Sequence, residues 1–297
     1  MAVSTEAHLT EEKIGGFRYV RTLHPGATSV VMEVVQEATG RRFALKQLQE
    51  SRAVESSERK LFEFEAKLGI LLRHPNLVIV HEYFRDPHQP YFIMDLFPSY
   101  HLKLPIARPS VYPMPKRQLH RIISQTAAGL AFMHDKNWIH RDVKPENILV
   151  NKSGEVRVID YALAMKPFSG LKKLLGSKAP RQGTASYMSP EQIRCMSPTP
   201  ASDIYSFGIT CYELACGRPP FRANSTAELL RKHLHERPIP LVNHNKSITN
   251  EYNDLVLNML SKRPEDRCES LQEFLSRFGR IRIFKDDPDP QADRFGM

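Results

Sequence analysis

The chain has 297 residues, 41% of them hydrophobic and 25% charged, and 42 lysines and arginines outweigh 33 acids for a net charge of +9. Those fractions exclude disordered and fibrous chains, and the length suffices for one bilobal unit or two domains. No apolar run approaches the roughly 20 residues of a bilayer span, and the basic residues are not interleaved with aromatics, so neither a membrane span nor a nucleic-acid partner is expected.

The start, MAVSTEAHLTEEK, has no basic-then-apolar pattern of a secretory leader. The cysteines (Cys195, Cys211, Cys216, Cys268) show no metal-ligand spacing and read as reduced thiols of a cytoplasmic protein. Residues 1–16 read as an extension. From 17 to 50, FRYVRTL, SVVMEVVQ and RRFALKQL alternate as strands, the last two split by Ala38-Thr39-Gly40. A helix at about 55–72 and the strands LVIVHEYF and PYFIMDLF complete a five-stranded, mostly antiparallel lobe over 17–95. Five prolines from Pro98 to Pro115 predict a stretch without regular structure.

From Lys116 the period becomes helical, with Leu119, Ile122, Ile123, Ala127, Leu130 and Met133 on one face. A further helix over roughly 201–216 turns Ile204, Phe207, Cys211 and Leu214 inward and stops at Gly217. The expected fold class is α+β, a small β-rich lobe with one main helix before a larger, mostly helical lobe over 98–280. Residues 281–297, rich in Asp and Pro, are expected to form a loose tail.

Period-two alternation puts Lys46 on the strand face shared by Ala44 and Leu48, opposite Phe43 and Leu45. Glu65 follows Leu61 by four and precedes Leu68 by three, which sets it on an apolar helix stripe. A lysine and a glutamate each aimed inward predict a Lys46–Glu65 ion pair. The stretch HRDVKPEN (140–147) lies between apolar runs, where unpaired charge is costly, and so reads as a site. The strands ILV and VRVI, joined through Asn151-Lys152-Ser153-Gly154, predict a hairpin returning Asp160 to the vicinity of Asn147. An amide and a carboxylate there suit Mg²⁺, which takes few protein ligands plus phosphate oxygens. Asp142 is left to accept a hydroxyl proton.

Taken in order, FALK (43–46), Glu65, HPN (74–76), HRDVKPEN, Asp160, GTASYMSPE (183–191) and SDIYSFGIT (202–210) resemble the eukaryotic-type serine/threonine protein kinase family over residues 17–280. The resemblance implies that Lys46, oriented by Glu65, holds ATP phosphates, that Asn147 and Asp160 bind Mg²⁺ or Mn²⁺, and that Asp142 deprotonates the substrate hydroxyl. It also implies that Lys144 neutralises the transferred group and that Thr184 meets a protein substrate carrying a Ser or Thr acceptor. Leu23, Gly26, Val31, Ala44, Met94, Asp95, Leu96 and Leu149 would surround the nucleotide, and Arg267 would pair with Glu191. Arg141 would receive a regulatory phosphate on the segment 161–190, which has five basic residues and no acid, with Ser177 and then Ser169 as candidate sites.

The chain departs from the family pattern at LHPGATSVV (23–31), where His24 and Ser29 replace glycines and Gly26 is expected at the most exposed point of the turn. Asp160-Tyr161-Ala162 stands in place of DFG, and the proline-rich 97–115 replaces a short connection. These departures leave two further readings, a pseudokinase acting as a nucleotide-binding or scaffolding module and a small-molecule phosphotransferase. The first need not retain Lys46, Glu65, Asp142, Asn147 and Asp160; the second should lack GTASYMSPE, a segment that serves peptide binding.

Overall fold

The structure, a computed structural model, describes residues 13–169 and 178–288. The chain divides into two compact units, Met1–Arg73 with Val78–Pro98, and His74–Leu77 with Ser99–Met297.

The first unit is an antiparallel sheet of β1 (Lys13–Ile14), β2 (Phe17–Pro25), β3 (Ser29–Gln36), β4 (Arg42–Leu48), β5 (Val80–Phe84) and β6 (Tyr91–Asp95), with helices α1 (Glu50–Ala53) and α2 (Ser56–Leu71). Its strand order is β1-β2-β3-β4-β6-β5. Six strands stand where five were expected, because Lys13–Ile14 folds back onto Phe17–Arg18 and is too short to show a period. One sheet face packs Phe43 and Leu45 with Phe17, Val34 and Ile93. The other packs Leu48, Val80 and Phe92 against Phe62 and Ala66 of α2. Each buried leucine, valine, isoleucine or phenylalanine among them contributes about 1.5–3 kcal/mol on leaving water. The α2 stripe runs through Phe62, Glu65, Ala66 and Leu68, whereas Leu61, expected on it, is 40% exposed. The fifth strand begins at Val80 rather than Leu77. Leu77 is fully buried in the second unit, where it bridges Val158.

In the second unit β7 (Tyr100–His101), β8 (Ile148–Val150) and β9 (Val156–Val158) form a three-stranded antiparallel sheet beside α3 (Lys103–Ala107) and α4 (Lys116–Asp135). Regular structure thus interrupts the proline-rich stretch, since Tyr100 pairs with Val150 and α3 takes Pro105 within its first turn. The α4 stripe from Leu119 to Met133 is buried as its period predicts. The helix Pro200–Cys216 is buried along nearly all its length and ends on Gly217 at φ 67°, a left-handed stop that suits glycine. The helix Leu271–Phe278 meets α4 through His120, whose ring stacks on Phe278 at 4.2 Å. The loose tail expected after Arg280 begins later: Ile283 and Phe284 are buried, and Thr249 N donates to Ile283 O at 3.0 Å. Two large apolar side chains outweigh the acidic residues that follow them.

Candidate active site

A turn of 3-10 helix, Pro145–Asn147, carries HRDVKPEN into β8, and this turn gathers the charged groups. Asp142 Oδ1 accepts from Thr184 N and Thr184 Oγ1, both at 2.9 Å. Its Oδ2 accepts from Lys144 Nζ at 2.5 Å and Asn147 Nδ2 at 3.2 Å. Lys144 Nζ also donates to Thr184 Oγ1 at 2.7 Å. Burial pushes the Asp142 carboxyl up, but hydrogen bonding and charge from Lys144, with Thr184 and His140, leave it below the ordinary aspartate range. The result is a carboxylate held ionised between a lysine and a threonine.

Below it lies a set of groups that carried no assigned role in the sequence. Asp203, wholly buried on the helix Pro200–Cys216, accepts at 2.8 Å from His134 Nε2, His140 N and Arg141 N. Burial would raise its pKa, yet the His134 hydrogen bond and charge, with His140 and the Arg141 amide, lower it. Gln192 Nε2 donates to Arg141 O at 2.8 Å. Together these contacts hold Arg141 at φ 70°, a conformation costly for a bulky residue unless its surroundings impose it. Asp142 N donates to His140 Nδ1 at 3.3 Å, and His140 Nε2 lies 3.1 Å from Ile159 O. An acid four residues after Thr199, on a helix whose neighbours are Ile204 and Phe207, was the available signal for Asp203.

The hairpin forms as expected, with Ile148 opposite Val158, and Ile159 N donates to Asn147 O at 3.0 Å. The Asn147 amide nitrogen donates to Asp142 O at 2.9 Å as well as to its carboxylate, which fixes which end of the amide is the oxygen. That orientation leaves Oδ1 for a hard cation, and an Asn oxygen with the Asp160 carboxylate fits Mg²⁺ or Mn²⁺ completed by phosphate oxygens. Among the described residues no cluster of three or more His, Cys, Asp or Glu forms a metal site independent of such oxygens. Asp160 itself takes φ 69°. Tyr161, fully buried, donates to Val158 O at 3.2 Å and sets its ring edge-on to His140, so the hydroxyl that distinguishes it from Phe finds a partner.

In the first unit Lys46 Nζ donates to both Glu65 oxygens at 2.6 and 2.8 Å. Strand register sets Val31 opposite Lys46 and Ala44 opposite Met94. Asp95 N donates to Ile79 O at 3.0 Å, so of the Asp95 backbone only the carbonyl remains for a ligand. Leu23 is 37% exposed at the end of β2. Gly26 is half-buried while Ala27 and Thr28 are the exposed tip, a reversal of the expectation. Its N–H donates to Ser29 O at 3.0 Å, and a Cβ there would stand 2.7 Å from that same oxygen. Leu149 belongs to the second unit, half-buried on β8.

Arg141 Nη1 and Nη2 donate to Leu163 O at 3.3 Å and Pro180 O at 2.7 Å, and its buried Nε has no partner among the described residues. Ser169 is exposed, and Ser177 lies outside the described residues. The Arg267 guanidinium forks onto Glu191 at 2.7 and 2.9 Å with both side chains buried, as the motif order implied.

A family model described as protein kinase domain matches residues 17–277. The chain is 32% identical over 258 residues to the serine/threonine-protein kinase PknB of Mycobacterium leprae, covering 86% of this chain and 40% of that protein. It is 29% identical over 281 residues to the serine/threonine-protein kinase PknA of Mycobacterium tuberculosis, covering 93% of this chain and 63% of that protein. The chain therefore spans less than two thirds of the length of these curated relatives.

Proposed function

The chain belongs to the protein kinase domain family, and from that premise we propose that it transfers the ATP γ-phosphoryl group to a serine or threonine hydroxyl of a protein substrate. The observation that carries this is the Asp142–Lys144–Thr184 cluster, an ionised carboxylate and an ammonium meeting at one threonine. Asp142 accepts the proton of the acceptor hydroxyl. Lys144 offsets negative charge on the phosphoryl group being transferred. The similarity to proteins named serine/threonine kinases supports the choice of acceptor.

Lys46, oriented by Glu65, holds ATP phosphates, while Leu23, Gly26, Val31, Ala44, Met94, Asp95, Leu96 and Leu149 line the nucleotide site. Asn147 and Asp160 hold Mg²⁺ or Mn²⁺, which neutralises phosphate charge when bound. Retention of all five charged and amide groups speaks against a scaffold without turnover. Incubation with ATP, Mg²⁺ and a generic protein substrate tests the assignment: phosphoserine or phosphothreonine forms, and Lys46→Met lowers the rate at least tenfold by misplacing the phosphates. Label on neither residue type overturns it.

Arg141 awaits a phosphate on Ser177 or Ser169, which would order the segment 161–190. Phosphosite mapping that finds nothing there after autophosphorylation contradicts this. The four free cysteines, with Cys211 and Cys268 buried, and the need for ATP support a cytoplasmic setting. Among the described residues no helix is long and apolar enough to cross a membrane. Cell fractionation that recovers the protein outside the cytoplasm would exclude that setting.

A further inference from the structure

Thr184 also borders a cavity of about 350 Å³ in the second unit. On its wall Glu213, 2% exposed, is held from two sides. Lys103 Nζ donates to Glu213 Oε1 at 2.6 Å and to Tyr187 OH at 3.1 Å, and Tyr187 OH donates to Glu213 Oε2 at 2.5 Å. Burial and then the Glu213 charge drive the Tyr187 hydroxyl far above its ordinary pKa, so it stays a donor. The lysine reaches in from α3, within the stretch whose prolines masked regular structure. Its side chain is one-third exposed, so the ammonium is part of the cavity surface.

Two acids, Glu146 and Glu213, and two bases, Lys103 and Arg222, line this cavity, with Ile106 and Pro219 as its apolar wall. The charges cancel. Without Lys103 the two carboxylates would outnumber Arg222, and the cavity would draw a cationic side chain. We propose that Lys103 is a specificity-determining residue: it fills the place of a substrate cation, so the cavity beside Thr184 receives an uncharged side chain flanking the acceptor Ser or Thr. This deepens the phosphoryl-transfer assignment and rests on it. It separates from that assignment because peptide binding can be measured without turnover.

The test uses the full chain and acceptor peptides that differ only in having Ala, Arg or Glu at each flanking position, with KM, kcat and peptide Kd measured. The parent favours Ala over both charged peptides at one position. Lys103→Met shifts that position toward Arg, and Glu213→Gln, which leaves the lysine unopposed, shifts it toward Glu, each by about fivefold or more in KM and Kd. Lys103→Arg keeps the parent preference. The opposite shifts keep the test decisive if one variant fails to fold. A fall in kcat for all peptides with unchanged preference would show that Lys103 only braces the Tyr187 segment, and a parent that favours Arg would equally overturn the proposal. Loss of turnover on every peptide by the parent, with the Kd shifts intact, would instead count against phosphoryl transfer alone.

Discussion

Two non-glycine residues of the candidate site, Arg141 and Asp160, take positive φ, and Ala162 does not. Aspartate tolerates the left-handed region better than most residues because its short side chain bonds locally, and Ala162 N donates to Asp160 Oδ1 at 3.4 Å. Alanine at 162 makes excursions to positive φ cost roughly 1 kcal/mol or more, which narrows the routes by which Asp160 can turn away. Ala162→Gly is therefore expected to fold normally and to quicken hydrogen exchange across 160–164. Unchanged or slower exchange would show that Ala162 does not restrain the segment. Asp142, Lys144, Asn147, Lys46 and Glu65 were legible in the sequence because charge in an apolar setting demands partners. Asp203 and His134 were not, because they lie on different helices 69 residues apart and only the tertiary fold brings them together.

At the scale of elements, the buried Glu191–Arg267 pair ties the short helix Pro190–Ile193 to the loop after Met259. The same guanidinium donates to Ser261 O at 2.9 Å and Ala201 O at 2.6 Å. Arg267→Ala strands a buried carboxylate, and an unfolding titration should show a loss of about 3–5 kcal/mol. A loss below ~1 kcal/mol would mean that the carboxylate finds water. On the helix Thr226–His235, burial and then the Lys262 charge hold His233 down to about 4, while Tyr205 OH lies 3.0 Å from its Nδ1. A folded pKa below the unfolded value, about 6.5, means its contribution is complete above that value and is lost as pH falls toward 4. The parent should lose on the order of 2–3 kcal/mol across that window. His233→Gln should lose less, and equal slopes would exclude His233 as the source. Strands β2 to β6 and helices α2 and α4 were legible because their periods run over enough residues. Lys13–Ile14, Tyr100–His101 and α3 were missed because two to five residues carry no period and proline hides a first turn.

For the molecule as a whole, family membership and the α+β class follow from motifs spread through both units, each of which folds around its own core. Composition could not show this, since a net charge of +9 describes a solvated basic surface as readily as a phosphate-handling one. The order of the motifs could, because it requires the Lys46–Glu65 pair in one unit and the Asp142 cluster in the other. The central claim is that Asp142 acts on the acceptor hydroxyl while ATP is held by other residues. Its most direct test is ATP binding and phosphoryl transfer measured side by side in the parent and in Asp142→Asn, with Mg²⁺ and a generic protein substrate. Transfer is expected to fall by about 10²–10⁴-fold with ATP affinity changed no more than about twofold, the size of a surface effect. Near-parent transfer by Asp142→Asn, or loss of ATP binding in step with turnover, would contradict the assignment.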